Sequence, residues 1–169
     1  MLDRVLESNN SSSRKDTDLI VGGVRVNGII DLFEGLGYEC ETNTRLTGMS
    51  GARHQFDIVA RRDTELVVID VTSLRASILD TPASDDEVAE QISMAALRMR
   101  VKGWDCGAYQ KMIIHLSSYF STGDNDSGAS QHDPFEQFLK DFDIQVIRAA
   151  DIQGAVKKIQ TMLNAVEMA

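Results

Sequence analysis

Apolar residues recur along this chain with two periods, and together these predict its elements. Val26, Ile29, Ile30, Phe33 and Leu36 fall at helical spacing behind Asp16, Thr17 or Asp18 as an N-cap, which predicts a helix running to about Leu36. Gly22 and Gly23 weaken its first half by about 1 kcal/mol each, so its firm part starts near Val24, and Gly35 and Gly37 end it. Tyr38 to Leu46 alternates as a strand. A turn flanked by Gly48 and Gly51 leads into a second strand, Arg53 to Arg61, and a third, Glu65 to Ser73. After a loop around Pro82, Ser84-Asp-Asp-Glu87 is a capping-box pattern. The helix behind it is expected to run to about Val101, with Val88, Ile92, Ala95, Ala96 and Met99 facing inward and Gly103 as its stop. Lys111 to Leu116 reads as a short buried strand, 121–133 as a loop, 134–141 as a helix and 144–148 as a strand. The final helix, about 151–166, presents Ile152, Val156, Ile159 and Leu163 on one face. A hairpin-rich start followed by βαβ crossovers implies an α/β fold, a mixed sheet flanked by helices. The polar run SNNSSSRKD (8–16) marks residues 1–16 as a flexible arm ahead of a single domain over 17–169.

Composition narrows the setting. With 43% apolar and 25% charged residues, the 169-residue chain has the make-up of an ordinary globular domain. No apolar run reaches the roughly 20 residues of a membrane span, and the N-terminus carries no hydrophobic signal segment, so a cytoplasmic protein is expected, with no membrane partner. Cys40 and Cys106 have no second ligand pair near them, which predicts free thiols rather than a disulfide or zinc site. The net charge of −9 argues against a broadly basic nucleic-acid-binding face and favours a metal-dependent acidic site or a protein partner.

Two acids interrupt the apolar strands. A hairpin centred between Asp63 and Thr64 pairs residues whose numbers sum to 127, and Asp57 and Asp70 satisfy that sum. Facing side chains on an antiparallel pair have Cβ atoms about 5 Å apart. Thr72, two residues beyond Asp70, points to the same face. Two carboxylates so placed repel unless one holds a proton, a cation neutralises them, or a bulge separates them. A hard divalent ion, Mg²⁺ or Mn²⁺, is one solution; pairing with Arg53 or Arg61 is another.

The run GYECETNTRLTGMSGARHQFDIVARRDTELVVIDVTS, with KMIIHLSSYF and FEQFLKDFDIQVIRA further on, resembles the PD-(D/E)XK, or restriction-endonuclease-like, superfamily, particularly its Mrr-like branch. The likeness spans roughly residues 20–150. It implies an αβββαβ core and Mg²⁺-dependent phosphodiester hydrolysis in nucleic acid, DNA being favoured. Asp57 would be the central metal ligand, Asp70 the second acid, and the Val71 carbonyl a further ligand. Two features depart from the pattern. Thr72 stands at the position of the family's lysine, and its hydroxyl can hold a water but carries no positive charge. The helix glutamate that many members carry is also missing, since Arg25, Val26 and Asn27 occupy its place; Glu34 and Glu41 are weak substitutes. Either the cation has moved to another element, with Arg53, Arg61 and Arg75 nearest in sequence and Gln91 able to project toward the site, or hydrolysis has been lost. In the second case the chain is a catalytically inactive member of the fold, a nucleic-acid-binding or protein-binding assembly subunit, for which a homodimer is one form.

The other chemical side chains have simpler readings. His54 lies three residues before Asp57, on the opposite strand face, and is expected to pack or to stabilise the turn. His115 is expected in the core or at a sheet edge, and His132 falls in the 121–133 loop. Ser117 and Ser118 have no histidine–acid set around them and begin a loop. Trp104 and Tyr119 are surface or interface aromatics that could stack a base, and Lys157-Lys158 is a solvated helix face.

Overall fold

A computed structural model describes residues 19–21, 23–73, 85–116 and 139–167. The elements are β1 (Ile20–Val21), β2 (Val24–Arg25), α1 (Asn27–Gly35), β3 (Glu39–Thr47), β4 (Arg53–Arg62), β5 (Glu65–Ser73), α2 (Asp85–Asp105), β6 (Gln110–Leu116), β7 (Gln145–Ala149) and α3 (Ile152–Glu167). Five strands form one mixed sheet in the order β3-β4-β5-β6-β7. The first three are antiparallel, and β5, β6 and β7 are parallel. This is the expected α/β architecture, a mixed sheet between helices.

Each face of the sheet has its own core. Ile58, Ala60, Val67, Ile69, Met112 and Ile114 pack against Ile29, Ile30 and Phe33 of α1 and Ala155 and Ile159 of α3. Phe56, Val59, Val68 and Ile113 pack against Ala96 and Met99 of α2. The strands Lys111–Leu116 and Val67–Ile69 are buried throughout, as parallel strands covered on both faces must be.

The beginning of the first predicted helix is something else. Residues 20–25 form a small antiparallel hairpin, β1 against β2, with Gly23 at φ +84°. Helix α1 starts only at Asn27, whose Oδ1 accepts the Leu19 N–H at 2.9 Å. Gly23, read with Gly22 as a weak helical start, instead lies in a turn, while Gly22 falls outside the described residues. At the other end the predicted stop is real: Tyr38 N–H reaches Phe33 O at 3.0 Å, and Gly37 takes the left-handed conformation at φ +85°.

Helix α2 also runs past its predicted end. Gly103 lies inside it, where the helix crosses β6 so closely that a Cβ would sit 2.8 Å from Lys111 Cγ and Cδ. The helix ends at Asp105 instead. The capping box at Ser84, the 121–133 loop and most of the predicted 134–141 helix lie outside the described residues, although residues 139–141 are helical. The strand expected over 144–148 is found one residue later, over Gln145–Ala149.

Candidate active site at a strand fork

The β4–β5 hairpin has the predicted register. Its paired residues run from Arg62↔Glu65 to Ile58↔Ile69. There the ladder stops, one pair short of Asp57 and Asp70, while β5 continues in parallel with β6 as far as Ser73↔Leu116. The two strands thus fork at the two aspartates. Asp57 spans the opening, its Oδ2 accepting the Val71 N–H at 2.7 Å. A backbone donor that the ladder no longer serves is thereby satisfied by a side chain.

A second irregularity falls at the same place. On β3, Cys40 packs against the α1/α3 core but Leu46 against the α2 core, although an even number of positions separates them. On β4, Ile58 and Phe56 differ in the same way. The alternation of faces therefore shifts at Asn43 and Asp57, between the pairs Thr42↔Ile58 and Thr44↔Phe56, where Asn43 adopts φ +51°. The β3–β4 arm beyond this point belongs to the α2 side. That brings Phe56 and the Gln55 carbonyl to α2.

Helix α2 supplies what sequence reading did not find. The Lys102 ammonium forms an ion pair with Asp70 Oδ2, donates to Gln55 O at 2.9 Å, and lies 4.5 Å from the centre of the Phe56 ring. Lys102 and Asp70 side chains are 17% and 19% exposed, so the pair is shielded but not sealed. One signal in the sequence pointed here. Lys102 borders the buried stripe of Ile92, Ala96 and Met99, where a long cation can run along apolar surface to a buried acid. Reading Gly103 as a helix stop hid it.

Asp57 carries the electrostatic strain of the fork. Burial pushes its carboxyl above the ordinary aspartate range; the Val71 N–H opposes this, the Asp70 charge adds to it, and Lys102 opposes it again. Its environment therefore favours proton or cation binding. Two carboxylates of this kind fit Mg²⁺, which commonly takes one or two carboxylates and keeps several waters. Among the described residues, no group of three or more His, Cys, Asp or Glu side chains gathers as a metal cage. Thr72 is engaged elsewhere. Its Oγ1 lies 3.0 Å from His115 Nδ1 on β6 and 3.4 Å from Ile114 O. His115 is 1% exposed, and burial, with the Arg148 charge adding, holds its imidazole below the usual histidine range, hence neutral at pH 7.

His54 has the structural role expected of it. Its Nε2 is 2.7 Å from Asp105 Oδ2 at the end of α2. Ser50 adds two more bonds to the same carboxylate, N–H to Oδ1 at 2.8 Å and Oγ to Oδ2 at 2.6 Å, and Met49 N–H caps the Asp105 carbonyl at 2.8 Å. These donors hold the Asp105 carboxyl below its ordinary range, Ser50 Oγ contributing most, then His54 and the Ser50 N–H. Gly48 is required for this approach, because a Cβ there would lie 1.9 Å from Asp105 Oδ2. The turn between Gly48 and Gly51 is thus a clamp on α2, one helical turn beyond Lys102.

The other candidates are scattered. Arg61 pairs with Glu41 at 3.3 Å on the surface, Arg53 and Gln91 are exposed, and Glu34 belongs to α1 on the opposite face of the sheet from α2. Arg75, Ser117, Ser118, Tyr119 and His132 lie outside the described residues. Lys157 and Lys158 are exposed on α3, as expected, and Cys40 and Cys106 are half-buried thiols outside any disulfide. No described helix is long and apolar enough to cross a membrane.

No protein-family model matches the chain, and no curated protein does. A solved structure titled as a protein of unknown function, AF1548, superimposes with a TM-score of 0.44 at 18% identity, over 73% of this chain. The matched region spans 56% of that protein's length.

Proposed function

We propose that the fork is a Mg²⁺- or Mn²⁺-dependent phosphodiester-hydrolysing centre of nuclease type, with nucleic acid, DNA in the first place, as substrate. Asp57 and Asp70 hold the ion, the Val71 carbonyl is its further ligand, and Lys102 supplies the positive charge that Thr72 does not. The observation that carries this reading is the Lys102–Asp70 pair beside Asp57. It places one cation and two acids together although the motif position after Asp70 is a threonine. A bound divalent ion would polarise a phosphate and lower the pKa of a water. Lys102 would hold the charge that develops on the phosphate oxygens, and the Gln55 carbonyl and Phe56 ring fix its ammonium for that task. Thr72, tied to His115, orients rather than neutralises.

Thermal unfolding with and without Mn²⁺ tests the metal site. An ion at 100 times its dissociation constant adds about 2.7 kcal/mol, roughly 5–10 °C for a chain of this size. The shift is expected in the wild type and not in Asp70→Asn; an unmoved wild type at millimolar Mn²⁺ sinks the proposal. A nicking assay on plasmid and single-stranded DNA tests catalysis. Lys102→Met is expected to cost about 10²-fold or more, and cleavage that survives Asp70→Asn would rule this site out.

A second reading has its own support. The Lys102 ammonium already neutralises Asp70, and among the described residues the fork offers two acids rather than three. The chain would then be a catalytically inactive member of such a fold, serving as a nucleic-acid-binding or protein-assembly subunit. Metal binding without any cleavage selects it.

A further inference from the structure

Helix α2 is apolar on two opposite sides. Ile92, Ala96 and Met99 face the sheet and are buried. On the far side Met94, Leu97, Val101 and Trp104 are 48%, 43%, 65% and 72% exposed. Their spacing of three, four and three residues is that of a coiled-coil seam. A surface helix normally carries one apolar stripe, toward its own core. The second stripe has no role in the fork: Lys102 leaves the helix between the two.

The size of the stripe speaks to what covers it. Met49, 74% exposed, is bonded through its N–H to the last residue of the helix. Taking about 200 Å² for a large side chain, these five residues expose on the order of 600 Å². A monomer's largest apolar patch is usually about 300–600 Å², so the stripe stands at the top of that range. Two such patches facing each other bury about 1,200 Å², the lower end of a standard interface.

The order of the stripe speaks to which partner. Read backwards, three-four-three is the same spacing, so the stripe is complementary to itself in antiparallel orientation. Laid against a second copy, Met94 meets Trp104 and Leu97 meets Val101, each twice, around a twofold axis near residue 99. This register leaves no apolar layer unpaired over these four positions. Twofold pairing of one patch with itself is also the commonest way soluble chains associate.

We infer that the outer face of α2, along Met94, Leu97, Val101 and Trp104, is a homodimer interface that takes a second copy of this chain antiparallel. Each subunit's fork stays on the sheet side of its own helix. Because each chain carries −9, and Arg98 beside the seam meets its own copy near the axis, association strengthens with salt as repulsion is screened.

The chain has a single tryptophan, Trp104, so its emission reports this surface alone. Sedimentation equilibrium of the full chain from about 1 to about 200 µM, a window suited to a standard-size patch, is expected to show a monomer–dimer equilibrium. The dimer should tighten between low and moderate salt, and Trp104 emission should shift to the blue in step with dimer formation. Val101→Glu buries two unpaired charges per dimer and should weaken association about 100-fold or more, with circular dichroism unchanged. Met94→Lys repeats the test at a second position, should the first variant fold poorly. A chain that stays monomeric across the range overturns the proposal. So does a dimer that both variants leave intact, or Trp104 emission already blue-shifted in the monomer, which would mean that the chain's own residues cover the stripe.

Discussion

Asp105 and Asp57 are two acids drawn inside the same half of the fold, on opposite arms of one arrangement. Asp105 ends α2 and receives Ser50 N–H, Ser50 Oγ and His54. Asp57 sits at the fork and accepts the Val71 N–H, with Asp70 as a like-charged neighbour. The first site lowers its carboxyl's pKa and the second raises it. Both are acids that the surrounding chain shields from water, Asp105 nearly fully and Asp57 in part. Hydrogen-bond donors decide the sign, and the difference separates a site built to hold a helix from a site left wanting a cation.

The largest expected effect tests the satisfied acid. Gly48→Ala forces a methyl into the Asp105 carboxylate and should cost about 1–3 kcal/mol by overpacking, a fall in Tm of roughly 2–12 °C for a chain of this size. If Tm holds, the clamp is not what seats the end of α2. Next comes Lys102→Met, which leaves Asp70 in its shielded place with no cation. A loss of about 1–2 kcal/mol is expected, read by urea unfolding, and Mn²⁺ should restore more of it than it adds to the wild type.

The pH dependence sharpens the contrast further. Asp105 titrates below an unfolded carboxyl, so its contribution to stability is present above the unfolded pKa and is lost as pH falls through the folded one. Asp57 titrates above, so its contribution is full below the unfolded pKa and is lost as pH rises through the folded one. Asp57→Asn keeps an acceptor for Val71 N–H and removes the charge. Its smaller effect should be a gain in Tm at pH 7 that disappears as pH falls through the Asp57 titration. A gain that persists in acid would mean that the charge of Asp57 is not what strains the fork. Followed by NMR as the pH is raised from acid, Asp105 should lose its proton before Asp57.

Much of this was legible in the sequence, for physical reasons that can be named. Alternation and turn chemistry gave the β4–β5 register, because a two-residue turn at Asp63-Thr64 fixes every pair behind it. The same arithmetic could not show the fork. The ladder with β4 ends while β5 goes on pairing with β6 along its other edge, a long-range arrangement with no local signal. Lys102 was only faintly signalled, for a related reason: its place depends on where α2 crosses the sheet, and Gly103, a helix breaker by propensity, serves there as a close-packing position. Gly23 taught the opposite lesson, since ahead of α1 its local preference for a turn prevailed. The nuclease reading rests on the sequence resemblance and on the acids and lysine at the fork.

The shift of faces at Asn43 and Asp57 has a consequence for how the molecule opens. The base of the β3–β4 arm is cemented into the α1/α3 core, but its outer half is held by α2 through Leu46, Phe56 and the Asp105 clamp. The arm is one hairpin by sequence and two units by cohesion. Under native conditions, amide exchange should divide it at that point, the outer half exchanging in step with the C-terminal turns of α2 while the base stays closed with the sheet. A local opening of that kind would uncover the two aspartates without unfolding the domain that carries them.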